Sequence, residues 1–169
     1  MAKDHRHFMQ KALGMAQQAL DRDEFPVGCV AVYKGRVIAQ GARTGSRQTI
    51  PGELDHAEII ALRRMEGLAN PVERRQVTLY VTMEPCLMCF GALLISGIGT
   101  IVYAFEDPMG GGTACDRTRL PVLYRDNAVR IVSGICRDRS LAMFKAFFAN
   151  PVNDYWRDSP LAAYTLEQT

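Results

Sequence analysis

The stretch Val77-Thr78-Leu79-Tyr80-Val81-Thr82-Met83-Glu84-Pro85-Cys86-Leu87-Met88-Cys89 holds a strand, a turn and a helix start in close succession. Val77 to Thr82 is rich in β-branched residues and reads as a strand. Pro85 suits the first position of a helix, where its missing N–H is no loss. That helix is expected to run from Cys86 to about Ser96. Cys86 and Cys89 stand three apart, so on a helix they share a face and can grip one ion. Upstream, His56-Ala57-Glu58 opens another helix, expected to reach about Gly67 with Asp55 as its N-cap. Read together as H-x-E…P-C-x-x-C, the two motifs offer three zinc ligands, His56, Cys86 and Cys89, and one carboxylate, Glu58, left for other work.

A closed structural zinc site takes four protein ligands, whereas a catalytic one keeps a position open for water. Three donors and a spare carboxylate therefore point to metal-assisted hydrolysis. Two thiolates donate charge and weaken the acidification of water, so a neighbouring base becomes more useful. Glu58, in the first helical turn, can sit beside the metal without coordinating it and shuttle a proton from the water to the substrate. Both cysteine- and histidine-bearing helices present their N-termini to the site, which favours thiolates. Blander readings exist. Asp55-x-x-Glu58 also fits a capping box. C-x-x-C alone fits a redox pair, although His56-x-Glu58 has no place in that chemistry. A structural site would need a fourth ligand from Cys29, Cys115, Cys136 or an N-terminal histidine. Cys115 and Cys136 read otherwise as small apolar residues, and His5 and His7 as solvated terminus.

Outward from the motifs, residues 8–20 carry apolar side chains at helical spacing. Residues 27–33 and 36–42 read as a hairpin closed at Lys34-Gly35. Residues 43–54 are a polar loop, and 100–105 and 128–132 are strands. A helix is expected from about Arg139 to Ala149. Between them, residues 106–126, with Gly110-Gly111-Gly112, form a long irregular excursion, read either as a lid or interface loop or as a solvated connection. Strands interleaved with helices and opened by a hairpin predict an α/β fold, a mixed sheet with helices on both faces.

The chain has 169 residues, 48% of them hydrophobic and 22% charged, with a net charge of +2. That bounds a single globular domain with a full-sized core and demands no strongly charged partner. Five cysteines, two in the C-x-x-C and Cys29, Cys115 and Cys136 scattered, do not form a secreted disulfide framework. No apolar signal core or membrane-length run occurs. The expected setting is a reduced cytoplasm, with no membrane partner.

On these residues the sequence resembles the cytidine and deoxycytidylate deaminase superfamily, and within it the tRNA adenosine deaminase branch. The resemblance spans about residues 5–149. It is carried by Asp23-Glu24-Phe25-Pro26-Val27-Gly28, His56-Ala57-Glu58-Ile59, residues 79–86, Cys89-Phe90-Gly91-Ala92 and Ile98-Gly99. It implies a three-layer α/β/α fold on a five-stranded mixed sheet, one Zn2+ per chain on His56, Cys86 and Cys89, and Glu58 as the catalytic proton shuttle. It further implies substrate contacts from the backbone of Ala57 and Pro85, a pocket walled by Pro26 and Val27, and a homodimer. The expected domain covers residues 1–150, with 151–169 a C-terminal extension packing on it. The expected substrate is a nucleobase, a nucleoside or tRNA.

Two departures bear on that substrate. The family commonly places an asparagine where Arg43 stands. Arginine has donors only, so it cannot reproduce the amide's paired donor and acceptor, but it can bind a phosphate as a substrate contact. The tail from Asn150 carries Asp154, Asp158 and Glu167 against Arg157, a poor clamp for RNA phosphates. Its Tyr155 and Trp156 could instead stack on a small ring at the pocket mouth, and the small-molecule deaminase stands as the alternative.

Overall fold

Alternation along the strands decides the layering. Val30, Val32, Tyr80, Val102 and Ala104 turn to one face of the sheet and pack on Met9, Ala12 and Leu13 of helix α1 (Ala2–Leu20). The intervening residues Cys29, Ala31, Leu79, Val81 and Ile101 turn to the other face. There they meet Ala57, Ala61 and Leu62 of α2 (Ala57–Glu66) and Phe90, Leu93 and Leu94 of α3 (Leu87–Ile95). A period of two on each strand thus feeds two separate apolar clusters, one per face. The strands are β1 (Gly28–Tyr33), β2 (Arg36–Ala42), β3 (Thr78–Met83), β4 (Thr100–Phe105) and β5 (Arg130–Val132). They lie in the order β2-β1-β3-β4-β5. β1 pairs antiparallel with β2 and β3, whereas β3, β4 and β5 run parallel. The expected five-stranded mixed sheet between helical layers is what forms. These positions come from a computed structural model that describes residues 2–169, with side chains described from His5 onward.

Close backbone approaches hold the site-bearing helices. A Cβ on Gly41 of β2 would lie 2.1 Å from the Ala57 carbonyl oxygen. Only a glycine lets the start of α2 sit this close to the sheet. The β3–α3–β4 segment is a parallel crossover, so the chain leaving β3 enters α3 at the carboxyl edge of the parallel strands, where open α/β sheets place ligands.

Several expected boundaries shift. His56, not Asp55, is the N-cap of α2, and no side chain caps it. Asp55 instead forms an exposed ion pair with Arg63 at 3.3 Å, so the capping box does not form. Pro85 is not the first helical residue: Cys86 is the N-cap of α3, and the helix proper starts at Leu87. His5 is not solvated terminus. It lies within α1 and shares a hydrogen bond with the Tyr80 hydroxyl at 2.9 Å. The last strand begins at Arg130 and the following helix, α5 (Arg137–Ala149), at Arg137. The excursion contains a 3₁₀ turn at Arg117–Arg119 and a short helix, α4 (Val122–Arg125). A final helix, α6 (Pro160–Glu167), was not anticipated. Its signal was present: Ser159 accepts from the Ala162 N–H at 3.2 Å, and Pro160 sits in the first turn.

The tail is sewn to the sheet. Leu161 and Ala162 of α6 join the same buried cluster as Phe25, Phe144 and Phe147. At the end of β4, Glu106 accepts hydrogen bonds from the Arg137 guanidinium, one at 2.8 Å, and from the Tyr164 hydroxyl at 2.6 Å. The Arg137 bonds, followed by that of Tyr164, hold the Glu106 carboxyl down from 4.5 to about 2. A carboxyl lowered in the folded state stabilises it at neutral pH and loses that contribution as the pH falls toward its folded value. Both partners are about one-third exposed, which limits the size of the effect. Arg137→Gln is expected to cost about 1 kcal/mol at pH 7 in denaturant unfolding. The gap to wild type should close as the pH approaches about 2.

Candidate zinc and catalytic site

Two helix starts bring the ligands together. His56 caps α2 and Cys86 caps α3, so both side chains project from helix N-termini, where unpaired N–H groups favour negative charge. Cys89 follows one turn into α3 and is fully buried. His56 Nδ1 lies 3.5 Å from Cys86 Sγ and 3.4 Å from Cys89 Sγ. The three ligand atoms all fall within 4.8 Å of one another. A tetrahedral zinc with ordinary Zn–N and Zn–S bonds separates such N and S donors by about 3.6 Å, so the set fits the ion without rearrangement. No fourth ligand joins the cluster among the described residues; Cys29, Cys115 and Cys136 lie outside it. The cluster therefore offers three donors for one ion.

Glu58 sits on the same turn of α2 as Ala57 and is 3% exposed. Its Oε2 is buried and has no hydrogen-bond partner. An unpaired buried carboxylate oxygen is costly, which marks this atom as reserved for a donor that arrives with the substrate or its water. Burial, with the Cys86 thiolate adding to it and His56 opposing it, pushes the Glu58 carboxyl up to about 7. A hydrogen bond from Cys89, and then His56, hold the Cys86 thiol down to about 4. Cys89 moves upward in the metal-free pair, because its hydrogen bond to Cys86 and its burial favour the thiol. Burial lowers His56, but Cys86 and Glu58 more than offset this and leave it raised.

These groups open into a cavity of about 260 Å³. Val27 and Arg43, both expected substrate contacts, line it, as do Tyr155 and Trp156 from the tail. Pro26, Ala57 and Pro85 are buried beside the lining residues Val27, His56, Glu58 and Cys86. Sequence reading missed Phe25, Glu53, Met83, Glu84, Asp107, Met109 and Leu161, which with Gly110 complete the wall. These residues come from five separate segments, and no local motif joins them.

The glycine-rich excursion has a clear anchor. The Gly112 N–H donates to the Pro85 carbonyl at 2.9 Å, and Gly111 bridges to Cys86. Glu84 accepts from the Asp107 and Thr113 N–H groups at 3.1 and 3.3 Å. A Cβ on Gly111 would lie 2.6 Å from the Glu84 carboxyl carbon. The first part of the excursion is therefore docked on the ligand-bearing turn and is not a solvated connection.

An α/β/α sandwich with a His-Cys-Cys cluster and an uncoordinated buried carboxylate defines the zinc-dependent hydrolytic deaminases. The comparisons agree. The model of the cytidine and deoxycytidylate deaminase zinc-binding region matches residues 2–105, and the chain belongs to that family. A tRNA-specific adenosine deaminase of Bacillus subtilis (strain 168) is 31% identical over 144 residues, 83% of this chain and 86% of its own length. One from Agrobacterium fabrum is 34% identical over 146 residues, 86% and 94% of the two chains. A solved structure from a study of A-to-I editing by tRNA:A34 deaminases at the wobble position of transfer RNA aligns with a TM-score of 0.68. It is 34% identical and covers 81% of this chain and 98% of that one. The protein is a zinc-dependent deaminase, a hydrolase of carbon–nitrogen bonds.

Protein purified under reducing conditions without chelator is expected to carry one zinc per chain by elemental analysis. Cys89→Ser, which replaces a soft buried donor, should lose the metal. A wild-type protein free of zinc would overturn the three-ligand assignment.

Proposed function

We propose that His56, Cys86 and Cys89 hold the zinc and that Glu58 is the catalytic acid–base group in hydrolysis of a nucleobase amino group. The observation that carries this is the unpaired, buried Glu58 Oε2 beside the three-ligand cluster. Zinc held by these residues would supply Lewis acidity toward the attacking water. Glu58 takes a proton from that water and delivers it to the ring nitrogen next to the amino-bearing carbon. Water's oxygen bonds to the amino-bearing carbon, Glu58 moves the second proton of that oxygen to the amino nitrogen, and the carbon–nitrogen bond breaks to release ammonia. Pro26, Val27, Ala57 and Pro85 shape the slot for the ring. The relatives' names favour adenosine in tRNA as the substrate, and we infer the cytoplasm as the place of work from the reduced cysteines the sequence calls for.

A second reading has its own observation. The extension 151–169 lays Tyr155 and Trp156 along the cavity and brings Asp154 to the adjoining rim, which Glu53 of the loop before α2 also lines. Acidic groups at that rim oppose a polyanion, which favours a free base or nucleoside. Ammonia release should be assayed on a tRNA anticodon-arm hairpin alongside free nucleobases, nucleosides and nucleotides. Turnover of the hairpin alone supports tRNA, turnover of the small molecules alone supports the second reading, and turnover of neither overturns the proposal. On the active substrate, Glu58→Gln is expected to retain zinc and lose about 10²- to 10⁴-fold in kcat. Loss of zinc instead would make Glu58 a ligand.

We further infer a homodimer that packs on the outer face of α3. Leu87, Ile95, Val122 and Leu123 are more than half exposed there. They flank a groove of about 450 Å³ lined by Phe90, Leu94 and Tyr124, next to the zinc ligands. A second copy is the occupant that the family resemblance supplies. Light scattering should give the mass of two chains, and Ile95→Asp should shift it toward one. A wild-type monomer would refute the dimer.

A further inference from the structure

Arg43 is the largest side chain buried without belonging to the apolar core, at 2% exposure. Its donors are already engaged. Nη1 donates to the Thr44 carbonyl at 2.7 Å, and Nη2 to the Gly52 carbonyl at 2.5 Å and the Tyr155 hydroxyl at 3.3 Å. The Tyr155 hydroxyl in turn donates to Glu53 Oε2 at 2.9 Å, and Arg43 lies 3.8 Å from the same carboxylate oxygen. The guanidinium sits 5.6 Å from the centre of the Tyr155 ring. A phosphate would need the paired terminal nitrogens that carry an arginine's bidentate fork, and here they hold two carbonyls and a phenol.

The consequence lies in where this clasp stands. The 260 Å³ catalytic cavity and a second cleft of about 580 Å³ share Glu53, Tyr155 and Trp156 as a common wall. Tyr155 is fixed from behind by an edge contact with Phe25 at 5.3 Å, and its neighbour Trp156 stacks edge-on against it at 5.5 Å. Glu53 belongs to the loop between β2 and α2, and Tyr155 to the C-terminal extension. Among the described residues, Arg43 is the side chain that hydrogen-bonds both the loop, at Gly52, and the extension, at Tyr155.

We propose that Arg43 is a positioning residue that, through Tyr155 and Glu53, holds the wall limiting the catalytic cavity to a single base. The wall belongs to this chain's own loop and tail, and it sets which substrate fits without touching the reacting atoms. Removing the fork joins the cavity to the larger cleft and loosens ring binding, while the zinc cluster and Glu58 stay in place. The selectivity part of the proposal rests on the nucleobase-deaminase reading; the architecture of the wall does not.

The chain's single tryptophan is Trp156, so acrylamide quenching of its fluorescence reports on the wall without any substrate. The zinc-loaded wild type, Arg43→Lys, Tyr155→Phe and Glu53→Gln are compared. Arg43→Lys keeps the charge but loses the planar fork, and its quenching constant is expected to rise about twofold as the segment loosens. Tyr155→Phe should rise less, because its ring stays packed. With the substrate found in the panel, Arg43→Lys should raise KM about tenfold with kcat within about twofold, zinc content unchanged. Unchanged quenching in all variants overturns the proposal, as does a fall in kcat at constant KM. If Arg43→Lys fails to fold, Glu53→Gln on the exposed rim decides by the same quenching measurement. If the wild type turns over no nucleobase, the functional reading falls, while quenching still decides the wall.

Discussion

Three soft or borderline donors must meet within about one zinc diameter of bonding distance, and everything near the sheet's carboxyl edge serves that meeting. His56 Nδ1 reaches both sulfurs at 3.4–3.5 Å only because two helices begin at the same point. Each helix contributes its N-cap residue, and the unpaired N–H groups there favour thiolate. The parallel crossover from β3 to α3 brings Cys86 to the edge, and the close approach at Gly41 brings α2 to meet it. A side chain at that glycine would push the histidine's helix off the sheet.

The same convergence explains a feature that would otherwise count against stability. Glu58 is buried with one oxygen unpaired, and burial drives its carboxyl far above the usual carboxylate range. A capping role would satisfy it, yet Asp55 turns outward to Arg63 and the box is left unmade. The cost is localised beside the His56, Cys86 and Cys89 cluster. Local strain of this kind belongs at functional sites, where the surrounding fold over-determines the arrangement. The surroundings here are the excursion anchored by Glu84 and the tail anchored by Glu106 and Arg137.

The clustering of His56, Cys86 and Cys89 beside Glu58 was legible because the pattern is local: two short motifs, each within one helical turn. The strands were legible because alternation and β-branching are properties of a short window. The cavity wall was not. Glu53, Asp107 and Leu161 belong to segments far apart in the chain, and nothing in their own neighbourhoods distinguishes them from ordinary surface or core residues. Arg43 was visible as a departure from the family pattern, but its engagement by Thr44, Gly52 and Tyr155 arises from packing between the second strand and the tail. Pro85 and Asp55 failed as helix markers for a related reason. A cap is a weak local preference, about 1 kcal/mol, and the demand to aim His56 and Cys86 at one point overrides it.

Sequence alone pointed to the reaction: three candidate ligands and a spare carboxylate at motif spacing favour hydrolysis on a metal over a redox pair or a closed structural site. It also determined the layering, since the period of two along each strand sorts side chains to two faces whatever the topology. Tertiary structure alone decided the shape of the space in front of the metal. Loop and tail meet there through Arg43 and Tyr155, residues 112 positions apart, and contacts between such distant segments depend on the closed fold rather than on any stretch of chain.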